Sequence, residues 1–461
     1  MPGGSTMWND LREFLDCLER QGELVTAERQ VDTKYEISAG LQRTSELQGP
    51  ALLFRNVKGY KIPVTGAIFS TRKRVLLALD MTRENYVQRF LKGLENPIPP
   101  KISESGPCQE VVLTGDDLDV RKLPNPFHAP RDGGLYITGG VAIAKHPEYG
   151  RNASIHRHMI IGRNKLTSLF APQRHLDIYR RTMEEKGKPL DVAVAIGMDP
   201  VIVIASQTTP PRGIYGDELA VAGGLRGEPV ELTKCKTIDV EVPSTSEIVI
   251  EGRFLPNVRA EEGPFGEAAG YYGSGEEAPV IEVTAITMRR NPIYQAIGSG
   301  KPPAEIHGLV AIPKEASFYK HMKQICPTLK AVHFTPGGTT QHHVAVSINQ
   351  IHKHQAKNVI LAALGAGFMV KHVVVVDDDI DIYNPTEIEW AIATRVQADS
   401  DVYIFPNIIG GPVDPSRKDN AIVSGMGIDA TRPYGEHFAE VVEIPGTKDF
   451  ELPIAKNERG R

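Results

Sequence analysis

The first regular signal along the chain is a set of apolar residues at helical spacing. Leu11, Phe14, Leu15 and Leu18 fall at i, i+3, i+4 and i+7 behind Ser5 and Thr6, which predicts an amphipathic helix ending near Gly22. Residues 52–54 and 64–68 are short apolar runs that read as strands, and residues 72–79 and 84–91 read as helices. Positions 1–106 are therefore expected to form a small α/β lobe, closed by Pro97, Pro99 and Pro100.

From 107 to 310 the pattern changes to β-branched runs separated by Gly and Pro, at 135–143, 155–161, 192–196, 201–204, 238–242, 248–250 and 280–286. Helical spacing is confined to 176–186 and 218–225, so this middle domain is expected to be a partly closed barrel or a sandwich. Residues 311–461 alternate again, with helices at 316–324, 355–364 and 385–394 and strands at 344–348, 372–376 and 402–405. The four consecutive valines at 373–376 do not alternate with polar residues, as expected of a strand covered on both faces. The fold class is α/β, in several domains.

Composition narrows the function. The 461 residues, 41% apolar and 24% charged, suit two to four globular domains, and 43 Gly with 34 Pro imply many tight turns. A net charge of −5 without a basic run gives no footprint for nucleic acid. Cys17, Cys108, Cys235 and Cys326 have no C-x-x-C spacing, which fits free thiols in a reducing cytoplasm. No secretory signal is read, and the most apolar stretch, 192–205, is broken by Gly197, Asp199 and Pro200, so no membrane span is expected.

Three stretches carry candidate chemistry. In the first, Arg151, Asn152, His156, Arg157 and His158 enter an apolar strand. That strand is either a solvated edge or one facing a ligand, because buried cations and amides cost several kcal/mol unless satisfied. The second is Glu261, Glu262 and Glu267 around Gly263-Pro264-Phe265-Gly266, a turn that can bring carboxylates together at a pocket wall or lie as an acidic turn on the surface. The third, Asp377, Asp378, Asp379 and Asp381, precedes Asn384-Pro385, and helix capping explains most of it. Neither a G-x-G-x-x-G nor a G-x-x-x-x-G-K-[ST] loop occurs, and residues 336–341 read as a turn.

Together these segments resemble the UbiD family of decarboxylases, which use prenylated FMN. Asn152 to Arg157 is similar to the family's Asn-x-x-Ile-x-Arg strand and Glu262 to Glu267 to its E-G-P-x-G-[ED] loop. Leu225-Arg226-Gly227, Asp377-Asp378-Asp379-Ile380 and Met426-Gly427-Ile428-Asp429-Ala430-Thr431 follow in family order. The resemblance implies a split β-barrel flavin domain in the middle and a C-terminal domain that forms a homodimer or higher oligomer. It places divalent-metal ligands, for Mn²⁺ or Mg²⁺ with K⁺ beside it, at Asn152, His175 and Glu218. It places further cofactor contacts at Ser154, Ile155, Arg157, Gln173, Ser206 and Lys371, and an acid–arginine–acid triad at Glu262, Arg157 and Glu267. Gly425 stands where relatives often carry Lys, whereas His307 reads as structural.

The activity implied is reversible, non-oxidative decarboxylation of an aromatic, heteroaromatic or α,β-unsaturated acid. The cofactor, supplied by a flavin prenyltransferase, acts as electron sink and Glu267 as proton donor. A second reading, from the residues alone, is a zinc-dependent hydrolase built on His156, His158 and Glu218.

Overall fold

A computed structural model describes residues 7–418 and 421–447; Ser5, Thr6 and the end of the C-terminal domain lie outside them. Helix α1 (Leu11–Arg20) forms where the spacing predicts it: Leu11, Phe14, Leu15 and Leu18 are buried, and the Asp10 side chain caps the start by accepting from Glu13 N at 2.9 Å. Strand β1 (Leu24–Ala27), helix α2 (Glu36–Glu46), strands β2 (Ala51–Phe54) and β3 (Val64–Gly66), and helices α3 (Arg72–Ala78) and α4 (Tyr86–Glu95) complete the lobe. β1 and β2 are parallel and β3 is antiparallel to β2.

The middle domain starts with strands β4 (Lys101–Ser103), β5 (Val111–Leu113), β6 (Tyr136–Ile137), β7 (Gly140–His146), β8 (Gly150–Ile155), β9 (His158–Gly162) and β10 (Lys165–Ser168). Helix α5 (His175–Glu185), strand β11 (Leu190–Ile196), helices α6 (Pro200–Ala205) and α7 (Glu218–Arg226), and strands β12 (Glu231–Lys234), β13 (Glu241–Pro243), β14 (Ile248–Glu262) and β15 (Glu276–Met288) follow. Nine strands make one sheet in the order β6-β9-β10-β15-β14-β11-β7-β8, with β5 on β15. The order is a path with two ends, so among the described residues the barrel is open.

Residues 201–204, expected as a strand, are helical. The β-branched run Val201-Ile202-Val203-Ile204 favours a strand, but the Asp199 carboxylate accepts from Val201 N at 2.8 Å and Pro200 takes the first helical position, so capping overrides propensity.

Strand β16 (Tyr294–Gln295) returns to the first lobe and pairs with β3 in parallel. Helix α8 (Glu305–Ile325) then crosses from the middle domain into the last, so a boundary at 310/311 falls inside one helix. A Cβ on Gly308 would sit 1.8 Å from the Phe69 carbonyl oxygen, so glycine permits α8 to pack directly on the first lobe.

The last domain comprises β17 (Leu329–Phe334), β18 (His343–Ile348), α9 (Gln355–Gly365), β19 (His372–Asp377), α10 (Pro385–Arg395), β20 (Val402–Ile409) and β21 (Ile422–Ala430). β18, β19 and β21 are parallel, and β17 and β20 flank them antiparallel. Val373 and Val375 join the apolar core containing α9, while Val374 and Val376 join the core against α10, so the unalternating valine run is covered on both faces. The aspartate cluster is structural: Arg395 binds Asp377 and Asp379, and Asn384 caps α10.

Candidate active site

The polar residues of β8 and the turn after it face two clusters. In the first, Glu218 opens α7, where Asp217 caps the helix by accepting from Leu219 N at 2.8 Å, and its carboxylate is buried against β8. It accepts from Asn152 Nδ2 at 2.9 Å and from Ala153 N at 2.8 Å, and His175 Nδ1 at the start of α5 lies 3.9 Å away. Burial raises the Glu218 pKa, and among the described residues no Lys or Arg pairs with it. A buried carboxylate beside an amide and an imidazole is a donor set that fits a hard divalent cation, which would supply the missing positive charge.

In the second cluster, Arg157 lies between two carboxylates. Its Nε and Nη2 donate to Glu262 Oε1 and Oε2 at 2.9 and 2.8 Å, and its Nη1 donates to Glu267 Oε1. Burial alone would lower the arginine pKa, but the two acids outweigh it and raise the pKa, so the guanidinium stays charged. Glu262 ends β14 and is fully buried. Gly263, at φ 92, turns the chain, and the Phe265 ring lies 5.1 Å from the Arg157 guanidinium.

The turn between the acids is fixed by Asp132, whose carboxylate accepts from Ala129 N at 2.9 Å and Gly266 N at 3.1 Å. The sequence reading missed it, because an aspartate in a Gly-rich loop looks like any turn residue. His307 uses both ring nitrogens, accepting from Ala304 N at 2.9 Å and donating to Ala268 O at 2.7 Å, which ties α8 to the same turn.

Arg157 and Glu267 of the second cluster border a cleft of about 730 Å³, lined also by Ile155, His156 and Pro172 and roofed by residues 412–415 and Arg417 of the last domain. Lys371 acts from behind the roof, with Nζ 2.8 Å from Asp414 Oδ2 and 2.5 Å from Ser416 Oγ. Ser154 sits between Asn152 and His156. Gln173, held at φ 65, donates its backbone N–H to Asp177 Oδ2 at 3.1 Å. Ser206 ends α6 with its hydroxyl on Val203 O at 2.7 Å. Gly425 packs on Ile408, whose Cδ1 would be 2.6 Å from a Cβ at that position.

The hydrolase reading fails on geometry. His158 is fully buried in β9 with both ring nitrogens unpartnered, His156 is committed to Ser154, and no cluster of three or more His, Cys, Asp and Glu side chains able to hold a metal exists among the described residues. Burial holds both imidazoles neutral, with pKa values lowered to about 4 for His156 and about 3 for His158.

Comparison with known proteins identifies the family. Residues 15–94, 101–302 and 307–430 match, in order, the N-terminal, Rift-related and C-terminal domains of the 3-octaprenyl-4-hydroxybenzoate carboxy-lyase (UbiD) family. The chain is 39% identical over 425 residues to an anhydromevalonate phosphate decarboxylase of Methanothermobacter thermautotrophicus, covering 92% of this chain and 97% of the relative. The corresponding Methanosarcina mazei enzyme is 35% identical over 91% of this chain and 96% of its own. Among solved structures, the UbiD-class enzyme HmfF of Pelotomaculum thermopropionicum in complex with FMN superposes with a TM-score of 0.91 at 41% identity, covering 96% of this chain and 99% of that one. With three domains matched in order and relatives aligned along nearly its whole length, the chain belongs to the UbiD family of decarboxylases.

Proposed function

We propose that this enzyme binds prenylated FMN through a divalent cation, Mn²⁺ or Mg²⁺ with K⁺ alongside, held by Asn152, His175 and Glu218. The single observation that carries this is the buried Glu218 carboxylate beside an amide and an imidazole, with no Lys or Arg paired to it among the described residues. Structural relatives are described in complex with FMN and with prenylated FMN, which supports the same cofactor here. When bound, the prenylated flavin would supply the electron sink for the electron pair left on the carbon when CO₂ departs.

The chain's own residues do the rest. Arg157 keeps Glu262 and Glu267 within reach of one another and orients the substrate carboxylate at the cleft wall. Glu267, on the cleft side of Arg157, donates the proton that replaces CO₂. The same steps run backward at high CO₂, so the reaction is reversible.

The substrate we infer is an α,β-unsaturated carboxylic acid. The relatives that are decarboxylases of anhydromevalonate phosphate favour an open-chain acid over an aromatic one, although a 3,4-dihydroxybenzoic acid decarboxylase of Klebsiella pneumoniae shares the fold at 29% identity and a TM-score of 0.88. Four free cysteines, and no helix among the described residues long and apolar enough to cross a membrane, fit a cytoplasmic enzyme. We also propose a homodimer or higher oligomer formed through the last domain, whose edge strand β20 exposes Ile404 and Ile409.

Replacing Glu218 with Ala tests the cofactor site. The variant is expected to lose flavin absorbance and bound metal together while keeping its circular dichroism spectrum. Full flavin occupancy would refute the assignment. A CO₂-release screen of unsaturated and aromatic acids, on protein made together with a flavin prenyltransferase, identifies the substrate.

A further inference from the structure

Strand β8 ends the path of the nine-stranded sheet, and the start of α7 grips that edge through two consecutive residues. Arg151 and Asn152 are neighbours on β8, so their side chains leave opposite faces of the strand. Asp217 and Glu218 meet them in turn. Arg151 Nη1 donates to Asp217 Oδ2 at 2.6 Å, Asn152 Nδ2 donates to Glu218 Oε1 at 2.9 Å, and the edge amide of Ala153 donates to Glu218 Oε2 at 2.8 Å.

Arg151 is itself anchored from outside the sheet. It stands directly opposite Lys145 in the β7–β8 pair, a like-charge arrangement that is unfavourable alone. Glu241 of β13, in a separate three-stranded sheet, resolves it by accepting from Lys145 Nζ on Oε1 and from Arg151 Nη2 on Oε2, each at 2.8 Å. The planar guanidinium is thus fixed by one acid while it holds the other.

The two links between β8 and α7 differ in what a cation would ask of them. Glu218 holds β8 with the same oxygens that a cation would use. Asp217 has both oxygens committed elsewhere, Oδ1 to Leu219 N at the helix cap and Oδ2 to Arg151, so the Arg151–Asp217 bond employs no atom of the proposed ligand set. We propose that Arg151 is a positioning residue for the cation site: through Asp217 it sets the start of α7 against β8 and so fixes the spacing between Asn152 and Glu218. The inference rests on the cofactor reading above. Charge alone gives the opposite expectation, because deleting a positive side chain beside a divalent-cation site strengthens binding, whereas deleting a positioning bond weakens it.

The test is a titration of Mn²⁺ into protein loaded with FMN, with free Mn²⁺ read by electron paramagnetic resonance. Arg151→Met keeps an unbranched apolar stem and leaves Glu241 its bond to Lys145, and its affinity for Mn²⁺ is expected to fall by about 10- to 100-fold, the usual scale for a residue behind a metal ligand. Unchanged or tighter binding would overturn the proposal. Glu241→Gln breaks the ion network on the far side of Arg151 and spares the bond to Asp217, so affinity is expected to stay within about threefold of wild type, as for a group outside the coupled pair. A loss there as large as in Arg151→Met would also overturn the proposal, by assigning the effect to the packing of the two sheets. If Arg151→Met does not fold, Asp217→Ser decides, since serine still caps α7 but removes the carboxylate that Arg151 holds. The same loss is expected, and wild-type affinity would overturn the proposal. Glu218→Ala, run in parallel, separates the two readings, because retained Mn²⁺ affinity there overturns the cation site itself.

Discussion

Arg157 grips Glu262 with two parallel hydrogen bonds and Glu267 with one, and the two acids differ in exposure as they differ in bonding. The Glu262 side chain is 0% exposed and the Glu267 side chain 21%. Of the pair, only Glu267 lines the cleft, and this is the reason the proton-donor role is proposed for it.

Glu267→Gln keeps the shape and a hydrogen bond to Arg157 but cannot deliver a carboxylic proton. Turnover is expected to fall at least about a hundredfold, on the usual scale for general acid catalysis, with flavin binding intact. In deuterated water the wild-type product should carry deuterium at the carbon that lost CO₂. Turnover near wild type in the variant would move the role to Glu262.

Arg157→Lys keeps the charge and loses the planar fork that holds Glu262 through two bonds. The expected result is a fall in kcat at least as large as that of Glu267→Gln, because both acids lose their alignment. Arg157→Ala leaves the Glu262 carboxylate buried without its cation and should reduce stability by about 3–5 kcal/mol in a denaturant titration.

Lys314, on α8, lies over the Phe334 ring at 4.6 Å, and among the described residues no carboxylate pairs with it. Burial, with Arg174 adding to it, lowers its pKa from 10.5 to about 7. The unfolded chain keeps this proton up to about pH 10 while the folded one releases it near 7, so unfolding takes up a proton in that interval and stability rises with pH across it. Lys314→Met should therefore raise the melting temperature most below pH 7, and the gain should shrink toward pH 10. A gain independent of pH would assign the effect to packing.

Light scattering at micromolar protein checks the assembly. Wild type is expected to be a dimer or larger, and Ile404→Asp with Ile409→Asp on strand β20 is expected to give a smaller species. A monomeric wild type would remove the interface altogether.

Much of this architecture was legible in the sequence wherever one physical signal ruled alone. The spacing of Leu11, Phe14, Leu15 and Leu18 determines α1, and the valine run at 373–376 determines a strand covered on both faces. Legibility failed where signals competed, as at 201–204, where a cap overrode four β-branched residues. It failed again on α8, where no local pattern marks Glu305 and Glu315 as buried. Glu305 is instead buried under the amides of Ala67, Phe69 and Gly298, and Glu315 collects Arg72, Tyr86 and His333 from two lobes. The acid–arginine–acid set was found through the order of its motifs, since no periodicity links Arg157 to acids more than a hundred residues away.

The roof of the cleft belongs to a different domain from everything beneath it. Arg157 and Glu267 come from turns of the middle domain, whereas residues 412–417 come from the last domain and are pinned by Lys371 to Asp414. The wall of the cleft and its roof are thereby encoded in separate stretches of polypeptide. A substitution in the roof can therefore reshape the cleft from above while Arg157 and Glu267 below keep their places, two parts of one opening that can vary independently.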